Sequence, residues 1–262
     1  MVFLFLQITI AYTAHTMAKE VYQKIVSNKK NGKKSIAVLI DPDKVTEESC
    51  KKVVNLANDH AIDFIIVGGS LMTSANLHNT VACVKENTNL PLILFPGNNL
   101  YLDHNADALL LLSLISGRNP DLLIGQHIAI APILKNSALE CMPTGYILVD
   151  GGKPTTVSYI SNTTPIPAEK EDIAACTAIA GELLGMKLIF MDAGSGALTE
   201  ISPKMIHLVS KSIDIPLIIG GGINTIDKVN KAFDAGADVV VIGTQIEKDH
   251  DFVQELSKIK RE

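Results

Sequence analysis

Short apolar runs alternate with longer mixed segments along most of the chain. The runs cover residues 35–40, 64–67, 90–95, 108–114, 145–149, 187–191, 217–219 and 238–242. Each has the length of a strand, and most are continuously apolar rather than alternating. That is the pattern of parallel strands whose outer face is covered by helices. The segments between them carry helical spacing over residues 46–60, 73–86, 121–135, 168–184, 203–212, 225–235 and 251–259, with Thr46 placed to cap the first. Residues 155–167 are polar, contain Pro165 and Pro167, and read as a long loop.

The rhythm breaks once. Only about ten residues separate the third run from the fourth, too few for a full crossover helix. An irregular segment is expected in place of the third helix. Strand–helix alternation over eight units, without an early G-x-G-x-x-G, predicts an α/β fold: a modified (β/α)8 TIM barrel rather than a doubly wound open sheet. One barrel uses nearly all of a chain of this size, so residues 17–262 are expected to form a single domain. Residues 1–10 are apolar, but no basic residue precedes them and the run is short for a membrane span. Residues 1–16 read as an extension outside the fold of a cytoplasmic protein.

Composition narrows the function. Hydrophobic residues make up 47% and charged residues 19% of the 262, which marks a well-cored folded chain. A net charge of −5 offers no broad basic surface for nucleic acid. The short patch Lys29, Lys30, Lys33 and Lys34 reads as a solvated helix end or loop. Cys50, Cys83, Cys141 and Cys176 lie far apart with no C-x-x-C pair, so buried free thiols are expected rather than zinc or disulfides.

In a barrel, chemistry belongs at the C-terminal ends of the strands. Those ends carry Asp41 and Asp43; Gly68–Ser70; Asn98 and Asn99; Ser113–Asn119; Asp150–Lys153; Asp192–Gly196; Gly220–Asn224; and Gly243–Gln245. Each glycine cluster alone is an ordinary turn. Three together, after the sixth, seventh and eighth strands, predict a phosphate site, because bare backbone lets N–H groups approach an anion. No cluster of Arg or Lys accompanies them, so backbone amides are expected to carry the binding. Asp192 stands beside this site, able to accept a proton from a substrate hydroxyl or to orient it. Across the mouth, Asp41 and the Ser70 hydroxyl offer half a shell for Mg²⁺, with Asp43 expected to cap the next helix.

Taken together, Leu39-Ile40-Asp41-Pro42, Val67-Gly68-Gly69-Ser70, Phe95-Pro96-Gly97, Arg118-Asn119-Pro120 with Gly125-Gln126-His127, the stretch Asp192 to Ala197, Gly220 to Ile223 and Gly243-Thr244-Gln245 resemble, in order, the geranylgeranylglyceryl phosphate synthase family, larger bacterial and archaeal branch. The resemblance implies a prenyltransferase that joins a prenyl diphosphate to the hydroxyl of sn-glycerol 1-phosphate in lipid biosynthesis. It implies Mg²⁺ on Asp41 and Ser70, and glycerol phosphate held by Phe190, Met191, Asp192, Ala193, Gly194, Ser195, Gly196, Gly221, Gly222, Gly243 and Thr244. It further implies an apolar groove for the prenyl tail where the third helix is missing, a homo-oligomer (dimer or hexamer), and at most transient membrane contact. The chain departs from the family's usual Tyr-x-Glu at Phe190-Met191-Asp192, which removes a hydroxyl and shortens the carboxylate arm. Two other readings compete: an isomerase or lyase acting on a phosphorylated substrate, against which no strand-interior lysine is visible, and a barrel that binds phospholigands without turnover.

Overall fold

A computed structural model describes residues 20–97 and 101–259; the expected extension 1–16 lies outside them, as do Asn98 and Asn99. The elements run α1 (Glu20–Lys30), β1 (Ser35–Ile40), α2 (Glu47–Asp59), β2 (Phe64–Gly69), α3 (Leu77–Asn87), β3 (Leu92–Pro96) and β4 (Ala108–Leu114). A π-helical turn, Asp121–Gly125, then leads into α4 (Gln126–Lys135), followed by β5 (Glu140–Leu148), α5 (Thr156–Ser161), α6 (Glu171–Leu183) and β6 (Leu188–Asp192). The chain closes with α7 (Pro203–Ser212), β7 (Leu217–Gly220), α8 (Ile226–Asp234), β8 (Val239–Ile242), α9 (Thr244–Lys248) and α10 (Phe252–Leu256).

The eight strands form a closed barrel in sequence order, all parallel, with β8 pairing back onto β1. Alternation along each strand splits the core in two. Phe64, Ile66, Phe95, Leu110, Tyr146, Leu148, Phe190 and Val241 pack together in one cluster, inside the barrel. Ile65, Val67, Ile147, Ile189, Met191 and Ile219 join the helices in the other, outside it. Both faces of every strand are therefore apolar, which is why the runs read as continuous. Residues 101–107, between β3 and β4, hold only turns and bends, as the short gap predicts.

The N-terminal ends of the strands carry a repeated device. Asp63, Asp107 and Asp238 each stand just before an even-numbered strand. Each accepts a backbone N–H at the start of the preceding strand, from Ile36 at 3.0 Å, Leu92 at 2.8 Å and Leu217 at 2.9 Å. Helix α1 packs Val21 and Ile25 into the inner cluster. Its lysine patch is not simply solvated: Lys29 pairs with Asp238 at 2.8 Å and Lys33 with Asp63 at 3.3 Å.

Other expectations need correction, each for a tertiary reason. Helix α3 begins at Leu77 instead of residue 73, because Thr73 and Ser74 donate their N–H groups to the Asp43 carboxylate. Asp43 therefore ties two loops and does not cap α2, which Thr46 caps with Ser49. The expected loop 155–167 contains α5, nucleated by a capping box between Thr155 and Ser158. Strand β5 starts five residues earlier than residue 145, at Glu140, whose carboxylate accepts the Val21 N–H at 2.9 Å. Among the thiols Cys50 and Cys83 are buried, but Cys176 is exposed on α6.

Candidate active site

A cavity of about 490 Å³ opens at the C-terminal ends of the strands. The ends of β1, β2, β6, β7 and β8 line it, with Lys153 and Thr156 reaching in from beyond β5. The three glycine-bearing ends do converge. Ser195 and Gly196 after β6, Gly221 and Gly222 after β7, and Gly243 and Thr244 after β8 share its wall, and Ser195 Oγ lies 3.3 Å from Thr244 Oγ1.

Two of these glycines are dictated by geometry. Gly221 has φ +80°, and a Cβ there would lie 2.5 Å from Asp192 Oδ1 and 2.7 Å from the Gly194 nitrogen. Gly194, at φ +87°, backs onto Thr155, whose Cγ2 would lie 2.8 Å from an added Cβ. Side chains are excluded, so backbone faces backbone. The Ala193 N–H is bonded to Gly220 O and the Gly194 N–H to Asp192 Oδ1, at 3.1 and 2.8 Å. Ser195, Gly196, Gly221, Gly222, Gly243 and Thr244 line the cavity, and their amides make no hydrogen bond to another described residue. A cation is present after all: Lys153 Nζ lies 3.6 Å from where a Cβ of Gly196 would be, and it makes no ion pair with a described residue. Met191 and Ala193 face the outer core and do not line the cavity.

Asp192 and Phe190 point inward at the cavity floor. The Tyr146 hydroxyl donates to Asp192 Oδ2 at 2.6 Å, so each carboxylate oxygen has one donor. Enclosure raises the Asp192 pKa above the ordinary carboxylate value, while the bonds from Tyr146 and Gly194 pull it back down. Burial, and then the Asp192 charge, raise the Tyr146 pKa well above that of a free phenol, so Tyr146 stays the donor. Phe190 brings no hydroxyl; the one on Asp192 comes from the next strand. Tyr146 is not among the site residues that the sequence pattern singles out. Its inward position, two residues before the end of β5, is the signal that could have found it.

The opposite wall is made of charged side chains. Asp41 accepts the Asp43 N–H at 3.1 Å and pairs with Lys44 at 3.1 Å; Lys44 also reaches Glu247 on α9 at 3.1 Å. Hydrogen bonds from Ser74 and Thr73 stabilise the ionised form, so the Asp43 carboxyl titrates at about 2. Asp41 and the Ser70 hydroxyl share the cavity wall, and a Cβ on Gly69 would lie 3.5 Å from the Asp41 oxygens. Hard oxygen donors suit Mg²⁺. Among the described residues no three His, Cys, Asp or Glu side chains gather as a metal cluster, so substrate oxygens and water have to complete any shell there.

The motif after β4 does not reach the cavity. Asn119 Nδ2 donates to Ser161 O at 2.8 Å, and His127 lies 3.0 Å from Ser113 Oγ. Together they tie the β4 loop to α5 and α4 to its strand.

Comparison with known proteins gives one answer. The chain is 50% identical over 234 residues, 89% of itself and 94% of its relative, to a protein of Spirosoma linguale named geranylgeranylglyceryl phosphate synthase. It is 49% identical over 241 residues, 92% of itself and 96% of its relative, to one of the same name from Chitinophaga pinensis. The crystal structure of (S)-3-O-geranylgeranylglyceryl phosphate synthase from Thermoplasma acidophilum, in complex with its substrate sn-glycerol-1-phosphate, superposes with a TM-score of 0.86 at 29% identity, covering 91% of this chain and 97% of that one. The profile of the PcrB family matches residues 28–261, and the chain belongs to that family.

Proposed function

We propose that this protein transfers a prenyl group from an allylic diphosphate to the free hydroxyl of sn-glycerol 1-phosphate, forming an ether and releasing diphosphate. The observation that carries this reading is the convergence of three glycine loops beside one inward carboxylate, in a chain half identical to proteins named for this reaction. The phosphate rests on the amides of Ser195, Gly196, Gly221, Gly222, Gly243 and Thr244, with Lys153 above it. The glycerol hydroxyl then meets Asp192, which orients it and takes its proton as the new C–O bond forms and the allylic C–O bond breaks. On the facing wall, Asp41 and Ser70 are the residues to hold Mg²⁺ with the diphosphate. That ion supplies charge neutralisation of the leaving group.

The apolar floor of Leu39, Ile66, Phe95 and Phe190 suits the first prenyl carbons. Where no helix follows β3, a second hollow lined by Met72, Leu77, Tyr101 and Leu102 offers the tail a route outward. Membrane contact, on this reading, is brief delivery of substrate or product; among the described residues no helix is long and apolar enough to span a bilayer. Exposed Ile124, Ile128 and Ile133 on one side of β5, and Tyr159, Ile160, Ile173, Leu183 and Leu184 on the other, support a homo-oligomer.

Incubation with labelled sn-glycerol 1-phosphate, Mg²⁺ and prenyl diphosphates of several lengths should yield a labelled prenyl ether. No ether with any donor would reject the proposal.

A further inference from the structure

Tyr146 belongs to the inner wall of the barrel. Its ring forms a triangle with Phe95 and Phe190, with centroids 5.9 and 5.7 Å away, and Phe95 and Phe190 themselves stand 5.2 Å apart. The three rings fill the barrel beneath the cavity and leave Tyr146 5% exposed. Strand register pairs Tyr146 with Phe190 and Leu148 with Asp192. The tyrosine therefore stands one inward position below Asp192 on the adjacent strand, and only a long side chain crosses that diagonal. Its hydroxyl covers it, ending 2.6 Å from Asp192 Oδ2. Asp192 lines the cavity; Tyr146 does not.

We infer that Tyr146 is a positioning residue for the transfer reaction: held by its aromatic neighbours, it fixes the Asp192 carboxylate in one rotamer and keeps it ionised to receive the acceptor hydroxyl.

The inference rests on the prenyl-transfer reading and adds the partner that makes Asp192 usable. A carboxylate enclosed by protein tends to protonate. From β5 it faces Tyr146, from β7 only the backbone of Gly220 and Gly221, and from its own loop the Gly194 N–H. No cationic side chain pairs with it among the described residues, and Lys153 lies further along the loop against Gly196. The Tyr146 hydroxyl and one amide are thus its stabilising donors. Without the hydroxyl, Oδ2 loses its partner and the carboxyl is free to rotate away from the acceptor.

Tyr146→Phe keeps the ring and removes only the hydroxyl. The first arm needs no turnover. In protein carrying ¹³C-carboxyl aspartate, with the Asp192 resonance assigned through Asp192→Asn, the Asp192 titration is expected to move up by about one pH unit in the variant. No movement overturns the inference, whatever the protein catalyses. In the second arm, kcat should fall about tenfold or more, with the KM for glycerol phosphate within about twofold and the acid limb of the pH profile displaced upward. A variant with wild-type kcat and pH profile has a tyrosine that only packs, and that overturns it too. Should Tyr146→Phe misfold, the wild-type protein decides. A slowly exchanging downfield hydroxyl proton, lost in Asp192→Ala, is the expected signature, and its absence counts against the inference. Failure of wild type to make an ether sinks the functional reading but leaves the titration arm standing.

Discussion

The two walls of the cavity are built in opposite ways. After β6, β7 and β8 the wall is rich in backbone, with Gly194, Gly196, Gly221 and Gly222 at positive φ and Gly221 set against the Ala193 and Gly194 nitrogens. After β1 and β2 it is made of side chains already paired among themselves, with Lys44 set between Asp41 and Glu247. The first wall changes little on binding. On the proposed reading the second would have to exchange partners, because Lys44 already pairs with Asp41. A preorganised wall suits a small acceptor whose hydroxyl must be aimed. An exchangeable wall suits a diphosphate that must be gripped and then let go.

That contrast predicts a graded set of outcomes. Gly221→Ala should hit hardest, because its Cβ would enter the space of Asp192 Oδ1. We expect kcat/KM to drop by roughly a thousandfold or more and calorimetry to show no glycerol phosphate binding, about the loss given by a missing general base. A fully active Gly221→Ala would mean that the glycine wall is not a phosphate site. Asp192→Ala should cost on the order of a hundredfold to a thousandfold in kcat while glycerol phosphate still binds, since the amides remain. Asp41→Ala should reduce turnover by about a hundredfold and raise the Mg²⁺ concentration needed for half activity; an unaltered Mg²⁺ dependence would separate the metal from this wall. Lys44→Met removes a cation that is partly exposed, so a change of only about twofold to tenfold in donor KM is expected.

The smallest effect is on stability. With its pKa lowered from 3.8 to about 2, the Asp43 carboxyl stabilises the folded chain fully above pH 3.8 and loses that contribution as pH falls toward 2. The melting temperature of Asp43→Asn should lie slightly below wild type at pH 5 to 7, with the gap closing between pH 4 and 2. A gap that stays constant through that window would assign the difference to something other than the Asp43 charge.

Much of the barrel was legible because strands buried on both faces leave an unbroken apolar signature, and because a missing helix shortens the chain measurably. The glycine wall was legible because positive φ favours glycine, as at Gly194, Gly196, Gly221 and Gly222. Partners distant in sequence left no such trace. Asp43 looks like a helix cap until Thr73 and Ser74, thirty residues on, come within reach of it. Tyr146 looks like any core aromatic until register sets it diagonally below Asp192. Lys153 sits alone in the sequence and meets the Gly196 loop only in three dimensions.

The aspartates at the other end of the barrel carry a grammar of their own. Asp63, Asp107 and Asp238 each greet an amide at the head of the strand before, in the pairs β1 and β2, β3 and β4, and β7 and β8. In the remaining pair, β5 and β6, the equivalent residue is Lys187, and the residue it faces is Pro143, which has no N–H to offer. The acid is missing where the donor is missing. The barrel thus reads as four two-stranded modules, one of them with its lock and key removed together, and replacing Pro143 would add an N–H that an aspartate at position 187 is placed to accept.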